Sequence, residues 1–155
     1  MQCLYAIIVG VTDRVTIKVR SKIMSSVGTR NTAPELIVRR LLHAEGYRYR
    51  LHQADLPGKP DLVFPSRKAV IYVHGCFWHG HGCAKGKLPK SRLDYWQPKI
   101  AQNRLRDKLT VKRIRAQGWK VLVVWQCETK LLDRLQERVT GFLDGISDST
   151  SRRKK

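Results

Sequence analysis

The sequence predicts an α/β fold, a sheet flanked by helices, and three observations carry that prediction. Ala69-Val-Ile-Tyr-Val73 and Lys120-Val-Leu-Val-Val-Trp125 are continuous apolar, β-branched runs of the kind found in strands buried on both faces. Between them, a stretch from about Tyr95 to Gln117, closed by Gly118, reads as one long helix. Strand, long helix, strand is a βαβ crossover, so the two strands are expected to be parallel neighbours with their C-terminal ends on one edge of the sheet. Open α/β sheets carry their sites at that edge.

The remaining elements follow in order. Asn31-Thr-Ala-Pro-Glu35 has the Thr-x-x-Glu spacing of a capping box, with Pro34 in the first turn where its missing N–H does no harm. The helix it opens puts Ile37, Val38, Leu41 and Leu42 on one face, points Arg39 and Arg40 elsewhere, and ends at Gly46. Tyr47-Arg-Tyr-Arg-Leu51 alternates with period two, as a half-buried strand does. Leu56-Pro-Gly-Lys-Pro60 is turn chemistry leading into a short strand, Asp61-Leu-Val-Phe64. Leu131 to Leu143 reads as a final helix, and Ser149–Lys155 as a polar, basic tail. The expected organisation is an N-terminal extension (1–14), one domain (15–145) and a basic C-terminal tail (146–155).

A chain of 155 residues supports one hydrophobic core. Its Lys and Arg total 31 against 12 Asp and Glu, a net charge of +19, which makes a polyanion the expected partner. Nucleic acid fits better than a membrane, because no apolar run reaches the roughly 18 residues of a spanning helix. Met1–Val11 is apolar but lacks the basic start and small-residue cleavage site of a signal peptide. It is compatible with a mobile extension, an added edge strand, or residues upstream of the natural start. Without an export signal, Cys3, Cys76, Cys83 and Cys127 read as reduced thiols of a cytosolic protein, not as two disulfides.

The ten residues His74-Gly-Cys-Phe-Trp-His-Gly-His-Gly-Cys83 fit no ordinary strand or helix. Cys76, His81 and Cys83 can be three metal ligands on a tight loop, and the second buried strand delivers Cys127 to the same edge. Four N and S ligands without a vacant position suit a closed, structural Zn²⁺ site. The competing explanation is that the cysteines are small buried hydrophobes and the histidines lie at the surface. Spacing alone divides the two evenly, and the fourth ligand supplied by topology favours zinc.

Pro60-Asp61 at the start of a strand, followed by a second buried strand, is the skeleton of nucleases in which a carboxylate holds Mg²⁺ beside a phosphodiester. A lone Pro-Asp is common in loops, and the usual Asp/Glu-x-Lys half of that signature is replaced here by Tyr72-Val73-His74. The Val73 carbonyl can serve as the missing ligand, and a histidine can handle the water proton.

Taken together, Arg20-Ser-Lys-Ile-Met-Ser25, Asn31–Glu35, Leu56–Asp61, Val73–His79, His81-x-Cys83, Tyr95-Trp96 and Val124-Trp-Gln-Cys127 resemble the very short patch repair endonucleases across roughly residues 15–145. The resemblance implies a restriction-endonuclease-like fold, with a central mixed sheet flanked by helices and a structural zinc site. It implies a nickase that cuts 5′ of the thymine in T·G mispairs left by deaminated 5-methylcytosine. Asp61 and the Val73 carbonyl would hold Mg²⁺, His79 would activate water, and Cys76, His81, Cys83 and Cys127 would hold zinc. Supporting roles would fall to Glu35, to His74 beside the phosphate, and to Asp107 as the partner of a histidine. Family members often have threonine at Val73 and some have histidine at Gly80 and Gly82. A carbonyl ligand survives the first change, and the second argues that those two positions are not ligands.

Phe77 and Trp78, pinned between Cys76 and His79, are placed to wedge between bases, which is least costly at a mispair. The resemblance adds Trp96 to the wedge. Packing in the core is the plain alternative for all three, and Trp119 and Trp125 are assigned to the core. Lys99, Arg104, Arg106, Lys108, Lys112, Arg113 and Arg115 give the long helix more positive charge than its few acids balance, so part of it is expected to face phosphates. The expected partner is double-stranded DNA with a T·G mismatch, bound by a monomer in the bacterial cytosol, at the nucleoid when acting, with mismatch-repair factors as further partners. Two rival functions are a restriction-type enzyme cutting both strands and a non-catalytic zinc DNA-binding module.

Overall fold

The Thr32 to Glu35 signature does open a helix, α1 (Ala33–Ala44), with Glu35 reaching back to the Thr32 backbone N–H at 3.4 Å. In the computed structural model, residues 30–145 are described, together with Val19 and Gly28. The expectations for residues 1–14, for Cys3, for Arg20–Ser25 and for the 146–155 tail lie outside the described residues. The predicted apolar face of α1 needs one correction. Arg39 does not point away but lies buried beside Glu35, Val38 and Leu42, because an ion pair with Glu35 one turn earlier compensates its burial.

The alternation at 47–51 is a packing pattern more than a pairing pattern. Tyr47 and Tyr49 set their rings edge-on against Phe64, at 6.5 and 5.8 Å between centroids, while only β1 (Arg50–Leu51) joins the ladder. β2 (Leu62–Phe64) pairs antiparallel with β1 and with β3 (Ala69–His74), and β3 pairs in parallel with β4 (Lys120–Trp125) after the crossover helix α2 (Leu93–Ala116). The result is a mixed four-stranded sheet in the order β1-β2-β3-β4, completed by α3 (Leu132–Asp144).

Pleat parity divides the core into two. Leu62, Phe64, Ala69, Ile71 and Val124 face α1 and α3, packing on Val38, Leu42, Leu135, Val139 and Leu143. Val63, Val70 and Tyr72 face the other way and pack on Ile114 of α2. His74 continues the even-numbered series of β3, so it emerges on the α2 side of the sheet. Since His74 pairs with Trp125, and Leu62 with Ile71, the ends of β3 and β4 and the start of β2 meet at one edge. Asp61, immediately before β2, is therefore delivered to the edge where His74 and Cys127 emerge.

Candidate active site and metal centre

Three groups of potential ligands gather at this edge, each with its ligand atoms within 4.8 Å of one another: Glu35, His52 and Asp61; His74, His79 and Asp107; and Cys76, His81, Cys83 and Cys127. The first unites α1, the segment after β1 and the start of β2. Asp61 Oδ2 accepts the Val73 backbone N–H at 2.7 Å, which locks the carboxylate against the neighbouring strand. Burial pushes the Asp61 carboxyl up to about 6, against the opposing pull of that N–H, and the neighbouring Glu35 adds to the rise. A carboxylate held so reluctantly ionised is one that a cation would stabilise, and the adjoining Val73 carbonyl belongs to the same residue. This donor set of hard oxygens fits Mg²⁺.

One member of the group, His52, and the neighbour that binds it, Arg39, escaped the sequence reading. His52 stands in the left-handed region, φ 47°, directly after β1, with Nε2 3.2 Å from Glu35 Oε1 and Nδ1 3.9 Å from Asp61 Oδ1. Arg39 bonds Glu35 and Asn31 and lies 2.9 Å from His52 Nε2. The only sequence signal for either was a charged pair spaced i, i+4 on α1, which would ordinarily mark a solvated face.

On the α2 side, the His74 and His79 rings stack at 3.8 Å with 9° between their planes. His79 Nδ1 is 2.5 Å from Asp107 Oδ2. Burial tends to push the Asp107 carboxyl up, but the hydrogen bond and charge of His79 outweigh it and hold it below the usual carboxylate range. Burial, reinforced by the neighbouring His79, draws His74 down to about 4, so His74 is neutral at physiological pH. With Nδ1 committed to Asp107, His79 is left with Nε2 as its free nitrogen, the arrangement in which an oriented imidazole accepts a proton. Asp107, expected only as a partner of some histidine, is thus brought to a named one. The cleft over this pair, about 630 Å³, is lined by His74, His79 and His81 and by Arg104, Lys108, Lys112 and Arg115 of α2. Those four basic residues, spaced 4, 4 and 3 apart, form one stripe of the helix.

The Cys and His group fits a tetrahedral metal ion. Bonds of about 2.3 Å to sulfur and 2.0 Å to nitrogen put neighbouring ligands roughly 3.5–3.8 Å apart, and Cys127 Sγ is 3.5 Å from His81 Nδ1. Burial pushes the Cys76 thiol up to about 12 and raises Cys127 as well, whereas Cys83 is drawn down to about 6, its own burial outweighed by hydrogen bonds from His81 and Cys76. Burial and the neighbouring Cys83 oppose ionisation of Cys76 and Cys127, and a divalent cation reverses that opposition. The loop is built for closeness: a Cβ on Gly86 would stand 1.9 Å from the His81 carbonyl oxygen, so only glycine closes the turn after Cys83. Gly80, at φ 61°, lies under Ile100 and Arg104, which a Cβ would meet at 2.7 and 2.9 Å. Side-chain space is therefore closed at one of the two positions where some family members carry histidine.

Phe77, Trp78 and Trp96 form one aromatic cluster, with centroids 5.0 Å apart for Phe77 and Trp96 and 6.1 Å for the two tryptophans. Phe77 and Trp78 are half-buried and Trp96 is buried. Asn103 of α2 donates to the Trp78 carbonyl at 2.8 Å, tying the loop to the helix. Trp125 is not a core residue as expected; it is half-buried and stacks on His81 at 4.3 Å, edge-on to His74. It lies between the metal group and the histidine pair, a position set by its being the last residue of β4, opposite His74, where it lines the cleft together with α2.

This arrangement is that of a nuclease on the restriction-endonuclease-like fold. The catalytic domain of the homing endonuclease I-Bth0305I has a similar fold, with a TM-score of 0.50 and 18% identity over 72% of this chain and 94% of that one. The sequence model for the family described as DNA mismatch endonuclease Vsr matches residues 12–85. The chain is 57% identical over 133 residues to the type II nicking enzyme V.XorIIP of Xanthomonas oryzae pv. oryzae, covering 86% of this chain and 98% of the relative. It is 40% identical over 131 residues to the DNA mismatch endonuclease Vsr of Escherichia coli K12, covering 79% and 84%. The chain therefore belongs to the Vsr family of DNA mismatch endonucleases. No helix among the described residues is long and apolar enough to cross a membrane.

Proposed function

We propose that this endonuclease nicks one strand of duplex DNA 5′ of the thymine in a T·G mispair, the lesion left when 5-methylcytosine deaminates. The observation that carries the reading is the convergence at one sheet edge of a desolvated carboxylate, Asp61, with an imidazole oriented by a carboxylate, His79 on Asp107. Asp61 and the Val73 carbonyl would hold Mg²⁺, which when bound neutralises charge on the scissile phosphate and orients the attacking water. His79 takes a proton from that water at Nε2 while Asp107 fixes the ring. His74, stacked on His79 and neutral, keeps the plane of that ring and can donate one hydrogen bond to a phosphate oxygen. Water attacks phosphorus, the 3′ oxygen leaves, and the nick carries a 5′-phosphate. Glu35 steadies the first turn of α1, and its own charge adds to the reluctance of Asp61 to ionise without a cation.

Cys76, His81, Cys83 and Cys127 would hold a structural Zn²⁺ that fixes the loop carrying both His79 and the wedge. Phe77, Trp78 and Trp96 would enter the base stack, where a mispair yields most easily. The stripe from Arg104 to Arg115 supports backbone contact without sequence choice. In this reading the chain acts as a monomer on duplex DNA, in the bacterial cytosol and at the nucleoid when acting, with mismatch-repair factors as further partners, and the segments 1–14 and 146–155 flank a 15–145 nuclease domain.

The deciding experiment compares two end-labelled duplexes, identical except for T·G or C·G at a methyltransferase-type site, with Mg²⁺ and with EDTA. Magnesium-dependent cleavage of the thymine strand alone is expected. Cutting of both strands in the matched duplex would make it a restriction-type enzyme, and binding without cleavage would leave only a zinc DNA-binding module. Trp78→Ala is expected to lower the preference for T·G over matched DNA by about tenfold, corresponding to the 1–3 kcal/mol of a base stack, with matched binding little changed. Equal losses on both duplexes would return Trp78 to packing or backbone contact.

A further inference from the structure

Trp125 meets aromatic rings on two sides, and both rings belong to histidines. The indole stacks on His81, with 4.3 Å between centroids and 18° between planes, and it meets His74 at 5.5 Å and 75°. His81 belongs to the group of thiols, its Nδ1 3.5 Å from Cys127 Sγ, whereas His74 belongs to the group of His79 and Asp107. His74 in turn stacks on His79 at 3.8 Å, and Asp107 holds His79 at Nδ1. The rings of His81, Trp125, His74 and His79 therefore run without a break from the candidate metal ligands to the imidazole whose Nε2 is free.

An indole acts as a fixed wall only if its own backbone is fixed, and here it is. The Trp125 N–H donates to Glu128 Oε2 at 2.6 Å. Arg138 of α3 holds that carboxylate through Nη1 at 2.5 Å, while its Nη2 donates to the Val123 carbonyl at 3.1 Å. The next residue, Gln126, donates its N–H to the His74 carbonyl at 2.9 Å, which locks the ends of β3 and β4 in register. The His74 ring has no such ties. Among the described residues no side chain hydrogen-bonds it, and the rings of Tyr72, His79 and Trp125 set its plane.

We propose that Trp125 is a positioning residue for strand cleavage: its indole, seated between His81 and His74, keeps the His74 ring against His79, so that the metal-binding loop and the proton-accepting imidazole are held in one register. This inference rests on the proposed roles of His79 and of the Cys and His group. An imidazole bound to a divalent cation would be more positive than a free one, and an indole face attracts positive charge, so the same contact with His81 would seat Trp125 more firmly in the loaded protein. In this role Trp125 acts through His74 and not on the substrate. Without the indole, His74 loses one of its walls and His79 is left with Asp107 as its firm tie.

The test pairs kinetics with ring geometry in the zinc-loaded, full-length protein. Trp125→Leu is expected to keep its zinc and its affinity for duplex DNA and to lower the single-turnover nicking rate by about a hundredfold, the cost of misplacing a reacting group by about 1 Å. Trp125→Phe, which keeps an aromatic ring, is expected to recover most of the rate. Adding Trp125→Leu to His74→Ala is expected to cost nothing beyond His74→Ala alone, because the two residues act on one path, and multiplied losses would overturn the proposal. By NMR with labelled histidine, the wild-type indole is expected to contact both the His81 and the His74 rings, and the contact of His74 with His79 to survive in Trp125→Phe and weaken in Trp125→Leu. Absence of either indole contact in wild type would overturn the proposal even if Trp125→Leu does not fold. A slow His79→Ala beside an unimpaired Trp125→Leu would overturn this inference alone, whereas an unimpaired His79→Ala would overturn the reading of His79 and this inference with it. A wild type that takes up no zinc would overturn the metal reading, and the cycle with His74→Ala would still decide the role of Trp125.

Discussion

Asp61→Asn is expected to lower nicking by at least about a thousandfold while making the metal-free protein more stable at pH 8. The first effect follows from the proposed role of Asp61: it would be the anionic ligand of an ion contributing several kcal/mol to the transition state, where each 1.4 kcal/mol is about tenfold in rate. The second follows from the direction of the carboxyl's shift. Asp61 is raised from 3.8 to about 6 by burial, so the folded protein holds a proton there that the unfolded chain has already released. Stability contributed by that proton is fully present below about pH 4 and is lost as pH rises through about 6. Above that, the ionised carboxylate costs on the order of 1–3 kcal/mol, which a neutral amide of the same shape avoids while still accepting the Val73 N–H. Urea melts of both proteins should differ at pH 8 and converge at pH 4. A difference independent of pH would mean that Asp61 is not desolvated, and retained nicking would remove it from the metal site.

Cys127→Ser is expected to lose the structural ion and, with it, much of the stability of the loop that carries Phe77, Trp78 and His79. Cys127 is the ligand most distant in sequence, following β4, whereas Cys76, His81 and Cys83 lie on one loop. It is therefore the residue through which the proposed metal ion would staple that loop to the sheet. Metal binding at such sites is folding free energy, and a loss of about 3–5 kcal/mol would lower the melting temperature by roughly 10–15 °C for a chain of this size. Bound zinc should fall from about one per chain to a small fraction, and a chelator applied to the wild-type protein should reproduce the drop in melting temperature. Unchanged zinc content in the variant would refute the set of four ligands, and unchanged stability after zinc loss would mean that packing alone holds the loop.

The effects of Asp61→Asn and Cys127→Ser on stability are expected to be opposite in sign because the two groups contribute to the folded state in opposite ways. In the first, a desolvated charge is removed from a site kept for chemistry at the expense of stability. In the second, a group that contributes binding energy to the fold is removed.

By itself the sequence determined whatever depends on neighbours in the chain. The capping box at Thr32 and Glu35, the apolar runs of β3 and β4 and the long helix between them are local patterns, and each took the expected form; the crowding of His and Cys at 74–83 is likewise legible in the chain itself. Even Cys127 could be placed, because a parallel crossover puts the ends of two strands on the same edge whatever the loops do. Tertiary structure alone decided which groups touch. Pleat parity sends His74 to the α2 face, and the axial position and rotation of α2 bring Asp107, 28 residues further on, to within 2.5 Å of His79. Arg39 looked like a solvated helix residue and His52 lay just past the alternating run, yet Arg39 is drawn inward because Glu35 is buried and needs a counter-charge, and His52 turns in beside both. Trp125 looked like core and became the partition between the metal group and the histidines, since it ends β4 opposite His74 and opens on the cleft that α2 lines. Periodicity records which side of an element is apolar; burial of a charge, the rotation of a helix and the opening of a cleft at a strand end are settled only when the elements pack.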